Sequence, residues 1–95
     1  MIDRTVWPSV TVIVLNYNGL EHLEACFASL IDVDYPDEQL RLMLMDNGST
    51  DGSVAYMQRH YPQVRIVRSE ENLGFAAGNN RAAREATGDY IVFLN

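Results

Sequence analysis

Residues 10–19 read Val-Thr-Val-Ile-Val-Leu-Asn-Tyr-Asn-Gly. The first six are β-branched or apolar without interruption, the composition of a strand buried on both faces. Asn16, Asn18 and Gly19 then break the run with residue types that begin turns. Asn18 is placed to cap a following helix, and Glu21 three positions on completes a capping-box pattern. Leu20, Leu23, Phe27, Leu30 and Ile31 recur at helical spacing and give that helix one apolar stripe.

The strand-then-helix unit repeats along the chain. An acidic loop, residues 32–39 with Pro36, separates the first helix from a second strand, Leu40 to Met45. Residues 46–53, Asp-Asn-Gly-Ser-Thr-Asp-Gly-Ser, are turn formers; Ser49, Thr50, Asp51 and Ser53 read as turn and capping residues for a second helix, about Ser53 to His60. Val64 to Val67 is a third strand. Asn72-Leu73-Gly74 turns the chain into a third helix carrying Ala76, Ala77, Ala82, Ala83 and Ala86, with Gly88 as its left-handed C-terminal cap. Tyr90 to Leu94 is a fourth strand, read as buried. The alternation predicts an α/β fold: a three-layer, doubly wound, mainly parallel sheet of four strands and three helices with right-handed crossovers.

Composition narrows the classes of function. Among 95 residues, 47% hydrophobic and 21% charged describe a folded globule, which excludes disordered and fibrous chains. A net charge of −6 with no basic cluster disfavours nucleic acid and anionic lipid as partners. No apolar run approaches a membrane span, and the opening residues lack the pattern of a signal peptide. Cys26 is the single cysteine, so a reducing cytoplasm, or the cytoplasmic face of the membrane, is the expected location. The chain stops at the tip of its fourth strand, which predicts a truncated domain. It also predicts that this strand is left as an apolar edge and drives self-association.

In open parallel sheets, ligands bind beyond the carboxyl ends of the strands. Here those ends run into Asn16-Tyr17-Asn18, Asp46-Asn47 and Asn95, so three of four strands deliver an amide or carboxylate to one edge. Such planar groups suit the imide edge of a pyrimidine or a ribose diol, and Tyr17 either stacks on a base or joins the core. A phosphate-binding P-loop and a dinucleotide fingerprint are both absent. His22 and His60 lack a second metal ligand at useful spacing, and the acidic loop lacks the glycine and spacing of a calcium loop.

The segments VTVIVLNYNG, MDNGSTDGS, ENLGFAAGNN and GDYIVFLN together resemble the family 2 inverting glycosyltransferases of the GT-A fold, and the middle two look most like the rhamnosyltransferase-like branch. The resemblance spans about Val10 to Asn95. It implies a partial, Rossmann-like nucleotide-binding fold that acts in cell-surface polysaccharide synthesis. It assigns Asn16, Tyr17 and Asn18 to the nucleotide base, Asp46 and Asn47 to the base edge, and Gly74, Gly78 and Asn79 to the nucleoside. Many relatives carry a second carboxylate where this chain has Asn47. Asn95 would open a motif whose third residue, an aspartate, binds a divalent cation, magnesium or manganese, across the diphosphate. That aspartate and the family's general base lie further along, so no catalytic or metal residue is assigned within the chain. The implied donor is a uridine or deoxythymidine diphosphate sugar and the implied acceptor a saccharide or lipid-linked saccharide. The 95 residues alone are expected to bind nucleotide weakly and to transfer nothing. A nucleotidyltransferase and a non-enzymatic flavodoxin-like binding module are the alternatives; the first wants a basic loop after strand one, the second an acidic cluster there, and the chain has neither.

Overall fold

A computed structural model describes residues 7–94. Its elements follow in the order β1 (Val10–Asn16), α1 (Leu20–Ile31), a 3-10 turn (Asp37–Gln39), β2 (Leu40–Asn47), α2 (Ser53–His60), β3 (Arg65–Ser69), α3 (Phe75–Glu85) and β4 (Tyr90–Leu94). The four strands form one sheet in the order β3-β2-β1-β4, and every pair is parallel. The chain steps from β1 outward to β3 and then returns to the far side of β1. That reversal makes the β1 carboxyl end the point where a crevice opens in such sheets.

Successive strand residues point to opposite faces, and each face has its own core. Val14 and Leu44 pack with Leu23 and Phe27 of α1, Met57 of α2, and Val64. Ile13, Met43, Met45 and Val67 pack on the other side with Ala82 of α3. The apolar, β-branched runs are thus covered from both sides, as their composition requires.

Four expectations change. Asn18 does not cap α1: it has a positive φ of 51°, the helix starts at Leu20 after Gly19, and Gly19 offers no side chain to its amides. The second and third strands both run two residues further at their carboxyl ends, to Asn47 and Ser69, because these two residues pair. Helix α3 ends at Glu85 with Ala86 extended, and Gly88 (φ 117°) instead shapes the turn into β4. There the Asp89 N–H donates to the Ser9 carbonyl and hydroxyl oxygens at 3.0 and 2.9 Å. Finally, β4 is not buried: Tyr90 through Leu94 are 37–61% exposed. Among the described residues it pairs with β1 at the edge of the sheet, in keeping with the expectation that it is left as an apolar edge, while α3 lies over β1 and β2.

Phe27 is fully enclosed between α1, α2 and the sheet. Replacing it with alanine removes a ring and leaves a cavity, so Phe27→Ala should lower the free energy of unfolding by about 3–5 kcal/mol. The exposed Ile31, on the same helix, should change it by no more than about 0.5 kcal/mol when replaced by alanine. Urea denaturation of both variants checks the pair.

Candidate functional site

Strands β1 and β2 pair in register to their ends, which sets Asn16 directly opposite Asp46. Both side chains are buried, at 5% and 0% exposure. Asn16 Nδ2 donates to Asp46 Oδ1 at 3.0 Å. Ser49 closes the group: its N–H donates to Asp46 Oδ2 at 3.0 Å and its hydroxyl donates to Asp46 Oδ1 at 2.7 Å. The same Ser49 Oγ accepts from Asn16 Nδ2 at 3.2 Å and from the Asn18 N–H at 2.9 Å. One donor and two acceptor positions exhaust a hydroxyl, so Ser49 is saturated. A buried carboxylate without such partners would be strongly destabilising; here Asp46 accepts three hydrogen bonds from two side chains and a backbone amide.

The loop after β1 is held against the loop after β2. Asn18 Oδ1 accepts the Thr50 N–H at 2.7 Å, and its left-handed backbone is one that asparagine tolerates better than most residues. Between these anchors Tyr17 is 54% exposed, so its ring lies at the surface and not in the core. The side chain expected to stack on a base is therefore accessible to one.

Asn47, at 2% exposure, turns the other way. Its Nδ2 donates to the Gly74 carbonyl at 3.0 Å and its Oδ1 accepts the Leu73 N–H at 3.3 Å. Both ends of the amide are committed to the loop that leads into α3. A carboxylate at this position would place an oxygen against the Gly74 carbonyl, so this loop geometry calls for an amide. Gly78 completes the fit: a Cβ there would lie 2.8 Å from Asn47 Nδ2 and 3.0 Å from Leu15 Cδ1. Its missing side chain thus makes room for the protein itself. Gly74, by contrast, has a φ of 84° and open space where a Cβ would be, while its N–H donates to Asn72 Oδ1 at 2.8 Å and its carbonyl accepts from Asn47 and from the Gly78 N–H.

Asn79 occupies a position on the sheet-facing stripe shared with Ala82, Ala83 and Ala86. It is 6% exposed, and its Oδ1 has no hydrogen-bond partner. Asn95 lies outside the described residues. Arg81 lines a shallow recess of about 810 Å³ with Arg68, Ser69, Glu70, Glu71 and Leu73 beside the same edge. A second recess of about 570 Å³ lies at the opposite, amino-terminal edge around Thr11, Leu40, Arg41 and Arg65, away from the residues predicted to bind.

Ser49 and Asp51 have the sequence of local turn formers and act over longer range. Ser49 ties together both strand ends. Asp51 serves two helices whose own N-cap residues, Gly19 and Gly52, supply no side-chain oxygen. Its Oδ2 accepts the Leu20 N–H at 3.0 Å, while Oδ1 accepts the Ser53 N–H at 3.0 Å and the Ser53 hydroxyl. Burial alone would raise the Asp51 carboxyl, but the hydrogen bonds from Ser53 and Leu20 outweigh it and hold the group below the usual value. The Asp46-x-x-Ser49 spacing was a visible signal for the first role. No sequence pattern links Asp51 to Leu20, 31 positions away.

Among the described residues, no group of three or more His, Cys, Asp or Glu side chains is placed to hold a metal ion. Asp46 is already engaged by Asn16 and Ser49. The described residues do not by themselves make a cation site.

A parallel α/β sheet whose chain order reverses at β1, with amides and a carboxylate gathered at one carboxyl edge, belongs to the doubly wound folds that bind ligands at that edge. Residues 11–95 match the family model described as glycosyl transferase family 2, and the chain belongs to that family. It is 33% identical over 95 residues to the putative teichuronic acid biosynthesis glycosyltransferase TuaG of Bacillus subtilis, covering 96% of this chain and 37% of that protein. It is 37% identical over 71 residues to the N-acetylglucosaminyl-diphospho-decaprenol L-rhamnosyltransferase of Mycobacterium tuberculosis, covering 74% of this chain and 22% of that one. The mannosyltransferase PcManGT of Pyrobaculum calidifontis, solved in complex with GDP-Man and Mn2+, superposes with a TM-score of 0.84 at 34% identity, over 94% of this chain and 27% of its own. The fold is that of the GT-A glycosyltransferases. The chain spans little more than a third of TuaG and smaller shares of the other two.

The depressed Asp51 carboxyl has a pH consequence. A group whose folded value lies below its unfolded one stabilises the fold above the unfolded value and loses that contribution as pH falls through the folded one. Asp51 should contribute fully above about pH 4 and progressively less in more acid solution. Thermal midpoints of the wild type and Asp51→Asn should therefore differ most above pH 4 and converge as the pH is lowered. A gap that stays constant with pH contradicts the assignment.

Proposed function

We propose that this chain is the N-terminal, nucleotide-sugar-binding part of an inverting glycosyltransferase acting in cell-surface polysaccharide synthesis. In the whole enzyme, an acceptor hydroxyl attacks the anomeric carbon of a nucleoside diphosphate sugar from the face opposite the diphosphate. The new C–O bond forms as the bond to the diphosphate breaks, and the hydroxyl proton passes to a base. The observation that carries the reading is the buried Asn16–Asp46–Ser49 group at the carboxyl edge of a family 2 chain. The work of these residues is binding and orientation. Tyr17 offers an exposed ring for the base, Gly74 a close approach with no side chain in the way, and Asn79 Oδ1 a buried acceptor for a ribose hydroxyl or a base N–H. The divalent cation of the family binds at the donor diphosphate, with ligands supplied from outside the described residues. The nucleoside is that of a uridine or deoxythymidine diphosphate sugar, and the acceptor a saccharide or lipid-linked saccharide. The unpaired thiol of Cys26 accords with a reducing cytoplasm, including the cytoplasmic face of the membrane.

Isothermal titration with uridine, deoxythymidine and guanosine diphosphates, each with and without manganese, tests the reading. Saturable binding of the uridine or the deoxythymidine diphosphate is expected, and manganese alone should give no saturable heat. Binding of guanosine diphosphate alone would overturn the choice of base, and an absence of binding to all three, with the chain folded, would overturn the reading. Asn79→Leu sharpens the test. Removing an orphaned buried acceptor should leave stability unchanged or raised, while the loss of one ligand hydrogen bond weakens affinity by about 1 kcal/mol, close to a fivefold effect.

We also propose that β4 pairs with β4 of a second copy. The strand has no charged residue, exposes both faces and has one unpaired edge. Antiparallel pairing about a two-fold axis would close such a contact. Light scattering should show mass rising with concentration, and Val92→Lys should restore a monomer; a wild-type monomer at high concentration would contradict the pairing.

A further inference from the structure

Of the side chains near the carboxyl edge, Asp51 stands apart because it touches neither strand end yet grips both neighbouring helices. Leu20 and Ser53 are the first residues of α1 and α2, and their amides are among the groups a helix start leaves without internal partners. Glycine precedes each, so neither helix caps itself. One carboxylate serves both, one oxygen to each, and its charge faces the positive ends of two helix dipoles at once. Between the two grips run the loops that carry Asn16, Tyr17 and Asn18 on one side and Ser49 on the other.

We propose that Asp51 is a positioning residue for the nucleoside site: a two-helix clamp that fixes the spacing of the Tyr17 and Ser49 loops without touching the ligand. The proposal rests on the nucleotide-binding reading and adds to it a residue outside the binding edge. Neutral isosteres cannot replace the carboxylate. Asparagine keeps one acceptor oxygen but turns an NH2 group toward either the Leu20 or the Ser53 N–H, setting donor against donor. The clamp would then hold one helix and release the other. The loops would lose their outer tie while the inner bonds of Ser49 and Asn18 remain. Without preorganisation, part of the binding energy must go into ordering the loops, and affinity falls.

The test compares the wild type, Asp51→Asn, Ser53→Ala and Val64→Ala in nucleoside diphosphate titrations and in amide relaxation-dispersion NMR. Val64 lies in the core near α1 and α2, away from the binding edge, and its replacement controls for a general loss of stability. Asp51→Asn should weaken binding about tenfold and place millisecond exchange on residues 16–20 and 48–53. Ser53→Ala, which keeps the carboxylate and loses one hydroxyl donor, should weaken it two- to threefold and stands as the measure if Asp51→Asn does not fold. Val64→Ala should retain wild-type affinity and quiet loops. Wild-type affinity in Asp51→Asn, or equal loss in Val64→Ala, would overturn the clamp while leaving nucleotide binding intact. A wild type that binds no nucleotide would overturn the functional reading and, with it, the positioning role.

Discussion

The parallel pairing of β1 with β2, in register through Asn16 and Asp46, is the constraint on which the rest depends. A slip of one residue would turn every side chain of β1 to the opposite face, breaking the bond from the buried Thr11 hydroxyl to the Thr87 carbonyl and removing Val14 from its cluster. It would also separate Asn16 from Asp46 and leave a fully buried carboxylate without its amide partner. Apolar packing and polar satisfaction therefore select the same register. The apolar faces supply the stability, and the buried polar group at the end adds specificity, because an unpaired carboxylate there costs far more than a misplaced methyl.

From that edge the order spreads outward through hydrogen bonds that are few and directional. Ser49 carries it into the loop after β2, Asn18 passes it between the two loops, and Asn47 carries it to the start of α3. Gly78 lets α3 settle onto Asn47 and Leu15. What these bonds leave uncommitted is small: the exposed ring of Tyr17 and, within the fold, the buried unpartnered oxygen of Asn79. Most polar groups named at this edge hold the loops together, and Tyr17 is the exposed side chain among them.

The strands, the helices and the shared edge were legible in the sequence because each rests on a local period: unbroken apolar runs for β1 and β2, a helical stripe for α1, turn formers at the strand ends. The roles of single residues were less so. Asn18 has the chemistry of a cap, but a positive φ and a bond to Thr50 take its side chain elsewhere. Asp51 reads as a cap for the helix beside it, and nothing local reveals the second helix it holds. Asn47 reads as one more polar residue at a strand end, and only the placement of the Gly74 carbonyl explains why an amide suits it. The apolar run of β4 reads as a central strand by composition, and its place at the edge among the described residues follows the expectation that it is left as an apolar edge.

If the nucleoside is read at the carboxyl edge of β1 and β2, as proposed, addition of uridine or deoxythymidine diphosphate should shift the amide resonances of residues 16–19, 46–50 and 72–80, with little change at the other end of the strands. Shifts centred instead on Thr11, Arg41 and Arg65, around the recess at the amino-terminal edge, would contradict it.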